Sequence, residues 1–428
     1  MKKILITVIT LSAIIIVDSS AQIAGWEVVQ SNTTVKLNSI YFYDHQFGFA
    51  CGDSGVVLKS IDSGKTWQSL QSPLTTNLND CFMFEQDCFL SVGDSGMGLV
   101  TWDGGDSLII GDLSDYGVDI YSVAFSRSPQ VSPGVFGASS QTLFFAWSSY
   151  CGTVILDVYN GSPGGFWGAY MLTDEIGFVA GDNSISQPIV GRTTNYGSSW
   201  DFVSFYLDSN EGRATGVAFT DSLLGYISAM VWDGRGAIAK TPDNGDTWTT
   251  TFFSKPLHDI NFPISGTSQI GYCVGDSGII LKTFNAGENW NYQLTGRNEN
   301  LNQVYFVDPD FGFIVGDNGL ILRTTNGGGT TTRTEDEDFQ LYNFELQQNY
   351  PNPFNPTTNI RFRIAEFGFV SLKVFDLLGN EIITLVDEEK SPGVYEVEFN
   401  ASNLPSGVYF YRLQAGSFNQ IKKMILIK

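Results

Sequence analysis

LNSIYFYDHQFGFACGDSGVVLKSIDSGKTW, from Leu37 to Trp67, is the stretch whose reading decides the fold. It reads as four short strands: an apolar one at Ile40 to Tyr43, a Gly-aromatic one at Phe47 to Cys51, the VVLKS segment, and one beginning at the Trp. Gly-Asp-Ser-Gly between the second and third strands supplies the positive φ angles of a tight hairpin. The pattern returns from Leu257 to Trp290 and from Leu301 to Thr330. Aligning the turn after the second strand puts equivalent positions at Asp53, Asp94, Ser140, Asp182, Gly234, Asp276 and Asp317. Their spacing of about forty to fifty residues is a propeller-blade period. Seven blades are therefore expected over residues 22–332, with Ser140 marking a degenerate third.

The last repeat stops at Thr330 without a Trp-bearing fourth strand, whereas GWEVVQS, Gly25 to Ser31, carries a Trp with no blade of its own. The amino-terminal segment should complete the last blade. A ring closed in this way leaves no long sheet edge open.

Bulk composition narrows the function. The chain has 428 residues, 23 Lys and Arg, 45 Asp and Glu, and a net charge of −22, which repels nucleic acid and anionic membranes. An apolar run from Ile4 to Val17 follows Lys2 and Lys3 and precedes Ser19-Ser20-Ala21, the layout of a signal peptide spanning residues 1–21. Five cysteines are too scattered for a disulfide framework, and none has zinc-ligand spacing. Cys81 and Cys88 face each other across an expected hairpin and are placed to bridge in an oxidising compartment; Cys51 and Cys273 read as core residues.

Ser60 to Trp67 and Thr241 to Trp248 fit the S/T-x-D-x-G-x-T-W hairpin, with Asp62 and Asp243 as its acids. Weaker copies place Asn195 before Trp200, Asn285 before Trp290, and Asp103 in a copy lacking the Trp. The region Gly25 to Thr330 resembles the Asp-box propellers, most closely those of the photosystem II assembly and stability-factor type. The motif is a fold device: the acid caps the turn, the Gly takes positive φ, and Trp67 or Trp248 packs between blades. It says almost nothing about function.

Some Asp-box propellers are sialidases, which the resemblance makes a rival reading. Such an enzyme needs three convergent arginines and a Tyr nucleophile with a Glu partner. Here Lys59, Arg192, Lys282 and Arg323 recur at one repeat position and are expected to be solvated edge residues. No catalytic residue, metal or cofactor is expected.

Loops held by the rigid blades are the better candidates for recognition. A polar ring is expected at the channel mouth from Asn38, Asn79, Tyr121, Gly168, Thr215, His258 and Asn302. The turn aspartates form a second ring on that face. Blade five replaces the usual turn by Trp232-Asp233-Gly234-Arg235-Gly236, which should expose Trp232 beside Arg235, and blade four lengthens the same loop from Asn183 to Pro188.

After a polar linker, 333–343, the composition changes. Residues 22–332 carry 12 basic and 31 acidic side chains, residues 344–428 carry 8 and 9. Period-two alternation with Gly, Pro and Asn turns predicts a small antiparallel, Ig-like β-sandwich over 344–428. YPNPFNPTT (Tyr350 to Thr358), VFDLLGNE (Val374 to Glu381), LPSGVYFYRL (Leu404 to Leu413) and the terminal KKMILIK resemble the type IX (Por) secretion system C-terminal sorting domain, type A. That resemblance implies periplasmic entry, passage through the translocon by way of residues 344–428, and a secreted or surface-anchored product. The expected function is a monomeric recognition scaffold for an extracellular protein or glycan. A secreted glycoside hydrolase or lyase and an envelope-complex assembly factor are the alternatives.

Overall fold

The computed structural model describes residues 25–126, 132–139, 142–149, 153–160, 162–207, 211–263, 269–293, 295–329, 345–364, 368–377, 379–390, 393–415 and 418–428. The leader expected at 1–21, the turn at Ser140, Cys151 and the linker at 333–343 lie outside these residues.

Among the described residues from Gly25 to Gly329, seven four-stranded antiparallel sheets are formed. In the first, Leu37–Phe42 is the inner strand, followed outward by Gly48–Gly52, Val57–Ser60 and Gln68–Ser69. The other inner strands are Leu78–Glu85, Ile120–Phe125, Gly164–Met171, Gly212–Phe219, Leu257–Asn261 and Leu301–Phe306. The seventh sheet takes its outermost strand from the amino end: Glu27, Val28 and Val29 pair with Arg323, Leu322 and Ile321. Trp26 is buried there, edge-on to Phe306 at 5.9 Å.

The Gly-aromatic signature has a local cause. A Cβ on Gly48, Gly225, Gly271 or Gly312 would strike the ring of Phe42, Phe219, Phe262 or Phe306 in the strand beside it. Those rings need the vacated space because each stacks on the second-strand aromatic of the preceding blade. Phe178 meets Phe219 at 3.5 Å, Tyr226 meets Phe262 at 4.1 Å, Tyr272 meets Phe306 at 3.6 Å, and Phe313 meets Phe42 at 4.0 Å. The last of these joins blade seven to blade one.

Hydrogen bonds repeat within the blade hairpins as well. The S/T-x-D-x-G hairpins cap themselves: Asp62 accepts from the Thr66 N–H at 3.0 Å and hydroxyl at 2.7 Å, and Asp243 from the Thr247 N–H at 2.8 Å and hydroxyl at 2.6 Å. Asp103 and Asn195 accept from Ser107 and Ser199 at 2.9 Å each. The indoles of Trp67, Trp200 and Trp248 donate back to the hairpin glycine carbonyls. In the copy before Trp290, Ala286 and Gly287, which follow Asn285, take positive φ, and Trp290 is buried.

The bases at the repeated third-strand position are not solvated edge residues, as the sequence suggested. Lys59 donates to Gly104 O at 2.6 Å, Arg192 to Asn244 O at 3.3 Å and Arg323 to Ser63 O at 2.6 Å, each time the residue after the hairpin acid or at its equivalent in the next blade. Arg323 also pairs with Glu27, and Lys282 is buried. A turn leaves carbonyls pointing outward, and a long cation from the neighbouring sheet satisfies one of them.

The Cys81–Cys88 bridge is not made. Register sets Cys81 opposite Ser91 and Cys88 opposite Glu85, so the two side chains are separated by several residues along the hairpin. That is too far for a disulfide. Cys81 is a free thiol, while Cys88 is disulfide-bonded elsewhere.

Residues 345–428 form a separate unit of two sheets. One holds Glu345–Leu346, Thr357–Ile364 and Gly393–Asn400; the other holds Glu381–Lys390, Gly368–Phe375, Gly407–Ala415 and Phe418–Leu426. Leu346, Ile360, Phe362, Leu372, Val374, Tyr411 and Met424 fill the space between. The proline-rich entry is tied down by side chains. Asn349 N–H donates to the Tyr411 hydroxyl at 2.8 Å, which donates to Gln347 O at 2.7 Å, and the Asn349 amide donates to Thr358 Oγ1 and Pro351 O.

Trp26→Ala is expected to cost about 3–5 kcal/mol, as for other buried Trp truncations. Urea denaturation of the full chain checks this, and an unchanged midpoint would mean that the strand does not belong to the ring. Tyr411→Phe should strip one acceptor and one donor from the tail entry, at about 1–3 kcal/mol. Faster hydrogen exchange at Asn349 is the expected sign.

Candidate functional site

Every inner strand carries a bulge near its start, seen as a register skip between Leu37 and Ser39, Leu78 and Asp80, Ile120 and Ser122, Phe166 and Gly168, Ala214 and Gly216, Leu257 and Asp259, and Leu301 and Gln303. An extra residue in one strand turns two successive side chains toward the same side. The channel is consequently lined in three tiers, and the bulged residues form the mouth: Asn38, Asn79, Tyr121, Trp167, Thr215, His258 and Asn302. The fourth of these is Trp167, not Gly168, because the bulge falls one residue earlier than the alignment placed it.

All seven surround a mouth cavity of about 310 Å³, with Gly168 also on its wall. Most of their polar atoms are committed to the seams. Asn38 donates to Leu78 O at 2.9 Å, Asn79 to Ile120 O at 3.0 Å, Thr215 to Leu257 O at 2.8 Å and Asn302 to Leu37 O at 2.8 Å; His258 Nδ1 lies 3.1 Å from Leu301 O. Each partner is the equivalent residue of the next blade. The turn aspartates steady the same side chains: Asp53 holds Asn38 and Asp94 holds Asn79 at 2.9 Å, Asp317 reaches Asn302 at 3.5 Å, and Asp276 lies 3.1 Å from His258 Nε2. His258 holds the Asp276 carboxyl below its ordinary value by hydrogen bonding, against partial burial.

Blades three and four break this pattern, and blade five adds Arg213 to it. Tyr121 stacks on Trp167 at 5.4 Å with planes 18° apart. The Arg213 guanidinium lies 3.6 Å from the Trp167 ring and 5.4 Å from Trp232, and its Nε is 3.6 Å from Asp182. A ladder of planar groups, Tyr121, Trp167, Arg213 and Trp232, thus crosses three blades and ends on an indole that is 48% exposed. The Asp233-Gly234 turn folds Arg235 back onto Asp233 at 2.9 Å and over Phe252 at 4.4 Å. Asp182 lies within a strand, one residue before its end and opposite Pro188, and serves Arg213, unlike the turn aspartates.

The second tier is the waist: Ser39, Asp80, Ser122, Gly168, Gly216, Asp259 and Gln303. Acceptors here take inner-strand N–H groups of the next blade. Ser39 Oγ takes Cys81 N–H at 3.1 Å, Asp80 takes Val123 N–H at 2.8 Å, Asp259 takes Val304 N–H at 3.0 Å, and Gln303 takes Ile40 N–H at 2.6 Å. Burial pushes Asp80 up to about 6 against four hydrogen-bond donors, and pushes Asp259 up to about 7. Arg213, Trp167, Asp80 and Asp259 were missed by sequence reasoning. For the two acids a signal was present, since each is a polar residue one position after the mouth ring, on an otherwise apolar strand.

Comparison with known proteins fits these two units. Residues 348–428 match the family described as a secretion system C-terminal sorting domain. The tail is a sorting domain of that kind. It marks export by the type IX system to the cell surface or the extracellular space. No curated protein matches the chain. Among solved structures, YCF48 bound to D1 peptide is similar at 18% identity and TM-score 0.56, covering 71% of this chain and 97% of that one. YCF48 from Cyanidioschyzon merolae is similar at 16% identity and TM-score 0.54, covering 70% and 98%. The WD40 β-propeller domain of Doa1 is similar at 11% identity and TM-score 0.53, covering 70% and 96%. At these identities the likeness shows the propeller fold alone.

The waist acids give a pH signature. In the unfolded chain they titrate near 3.8, so between about pH 4 and pH 7 the folded state binds more protons. Stability should then rise as pH falls from 8 to 5. The nearby thiols Cys51 and Cys273 do not interfere, since burial raises both well above the ordinary thiol value. Acids held low, such as Asp103 at about 2, lose their contribution only below about pH 4. Melting temperatures from pH 5 to 8 should show a slope that Asp80→Ser/Asp259→Gln flattens; equal slopes would refute the assignment.

Proposed function

We propose that the propeller is a recognition scaffold, carried out of the cell by its tail, that binds an extracellular protein or glycan on the Tyr121–Trp167–Arg213–Trp232 ladder at the channel mouth. The observation that carries this reading is the break in the repeat. Where five blades spend their mouth residues on seam carbonyls, blades three and four place aromatic faces at the mouth, and Arg213 of blade five adds a guanidinium beside its seam-bonded Thr215. Flat aromatic faces and Arg are favoured contact groups in binding surfaces. That a propeller of the same fold, YCF48, is recorded with a bound peptide supports a polypeptide occupant.

A glycoside hydrolase draws less support. Lys59, Arg192 and Arg323, the repeated bases, each serve a different hairpin and do not converge on one substrate carboxylate.

The test is a glycan array and an envelope-extract pull-down, run in parallel with the full chain, Trp232→Ala and Arg235→Ala. A partner retained by Arg235→Ala and lost by roughly tenfold or more in Trp232→Ala is expected, the scale of a central aromatic contact. Equal retention by Trp232→Ala would remove the ladder from the account.

A further inference from the structure

The channel has a second end. Below the waist, the third tier consists of Tyr41, Phe82, Ala124, Tyr170, Ala218, Asn261 and Tyr305, and it lines a funnel of about 850 Å³. That is the size of a small-molecule site. Tyr41 packs on Phe82 at 4.7 Å and on Tyr305 at 4.6 Å, while the Tyr170 and Tyr305 hydroxyls are tied to Phe219 O and Phe42 O. The walls therefore present aromatic faces held in place, and Ala124 and Ala218 leave the space between them.

Asp80, Asp259 and Gln303 close the inner end and border both cavities. The backbone task of this tier does not require a charge, because Ser39 and Gln303 accept the same N–H groups as neutral side chains. Carboxylates at this depth cost desolvation free energy. Among the described residues no Lys, Arg or His lines the funnel, and neither acid belongs to an ion pair. The Ser126 hydroxyl also borders the funnel, buried and without a hydrogen-bond partner. Two acids without a cationic partner, an orphan hydroxyl and four aromatic walls are groups suited to an organic cation. A metal fits less well, since among the described residues no three His, Cys, Asp or Glu are grouped to hold one.

We propose that the funnel binds an alkylammonium group, its charge met by Asp80 and Asp259 and its chain by Tyr41, Phe82, Tyr170 and Tyr305. Isothermal titration of the full chain at pH 8 with n-butylammonium, n-butanol, spermidine, a blocked Gly-Lys-Gly peptide and Ca²⁺ tests it. Butylammonium should bind at least about tenfold more tightly than butanol. Asp80→Ser/Asp259→Gln, which copies the residues at Ser39 and Gln303, should lose at least about tenfold. Ala124→Tyr, which copies Tyr41 and fills the funnel without touching either acid, should lose binding as well, and carries the test should the double variant fail to fold. Whichever of spermidine and the peptide binds more tightly through the same acids names the source, free polyamine or protein lysine. Absence of binding at roughly 10 mM ligand, equal binding of butanol, unchanged affinity in both variants, or displacement of butylammonium by Ca²⁺ would overturn it.

Discussion

A four-stranded blade ends at both edges with backbone groups that have no partner within the sheet, and everything else in this propeller follows from how the next blade supplies one. The inner edge is the harder case, because its N–H groups are buried against the neighbouring blades, where an orphan donor is costly. The solution recurs at each level of the seam. A mouth side chain donates to the next blade's first-strand carbonyl, a waist acceptor takes the next inner-strand N–H, and a third-strand cation reaches the next hairpin. Each bond is worth only about 1 kcal/mol net, but repetition around a closed ring makes every blade's register depend on both neighbours.

This constraint explains where function has room to appear. Positions spent on seams cannot also be spent on a ligand, so a recognition surface has to arise where a seam is made in another way. At blades four and five the inner strands approach closely at Gly168 and Gly216: a Cβ on Gly168 would lie 3.0 Å from Gly216 Cα. Backbone contact replaces part of the side-chain stitching there, which releases Tyr121, Trp167 and Arg213 to form the ladder. The waist acids are the converse case, in which a seam position carries more charge than its backbone task requires.

Much of the fold was legible because propeller geometry writes itself into local chemistry. Gly48 and its equivalents yield to an aromatic ring, Gly55 and its equivalents take positive φ, and Asp62 and Asp243 cap their hairpins, so the repeat and the strand borrowed by the last blade could be read from spacing. The site was legible only in outline. Six of the seven mouth residues were found, yet a one-residue bulge shifted Gly168 for Trp167, and with it the ladder disappeared from view. Arg213 sits two residues before its blade's mouth residue, Thr215, with no sequence mark of its ring partners. Lys59, Arg192 and Arg323 read as solvated because a sequence shows an exposed third strand but not the carbonyl that the neighbouring blade brings to it. Cys81 and Cys88 were misread for the same reason, since hairpin proximity in sequence does not fix register.

Closure of the ring by the amino-terminal strand is the claim on which the seam scheme rests. Native-state hydrogen exchange at Glu27, Val28 and Val29 addresses it most directly. Protection at the ladder-bonded amides of this segment comparable to that of Ile321–Thr324, lost together with it on unfolding, is what the account requires. Exchange of all three at the rate of an open chain, while Ile321–Thr324 stay protected, would contradict it.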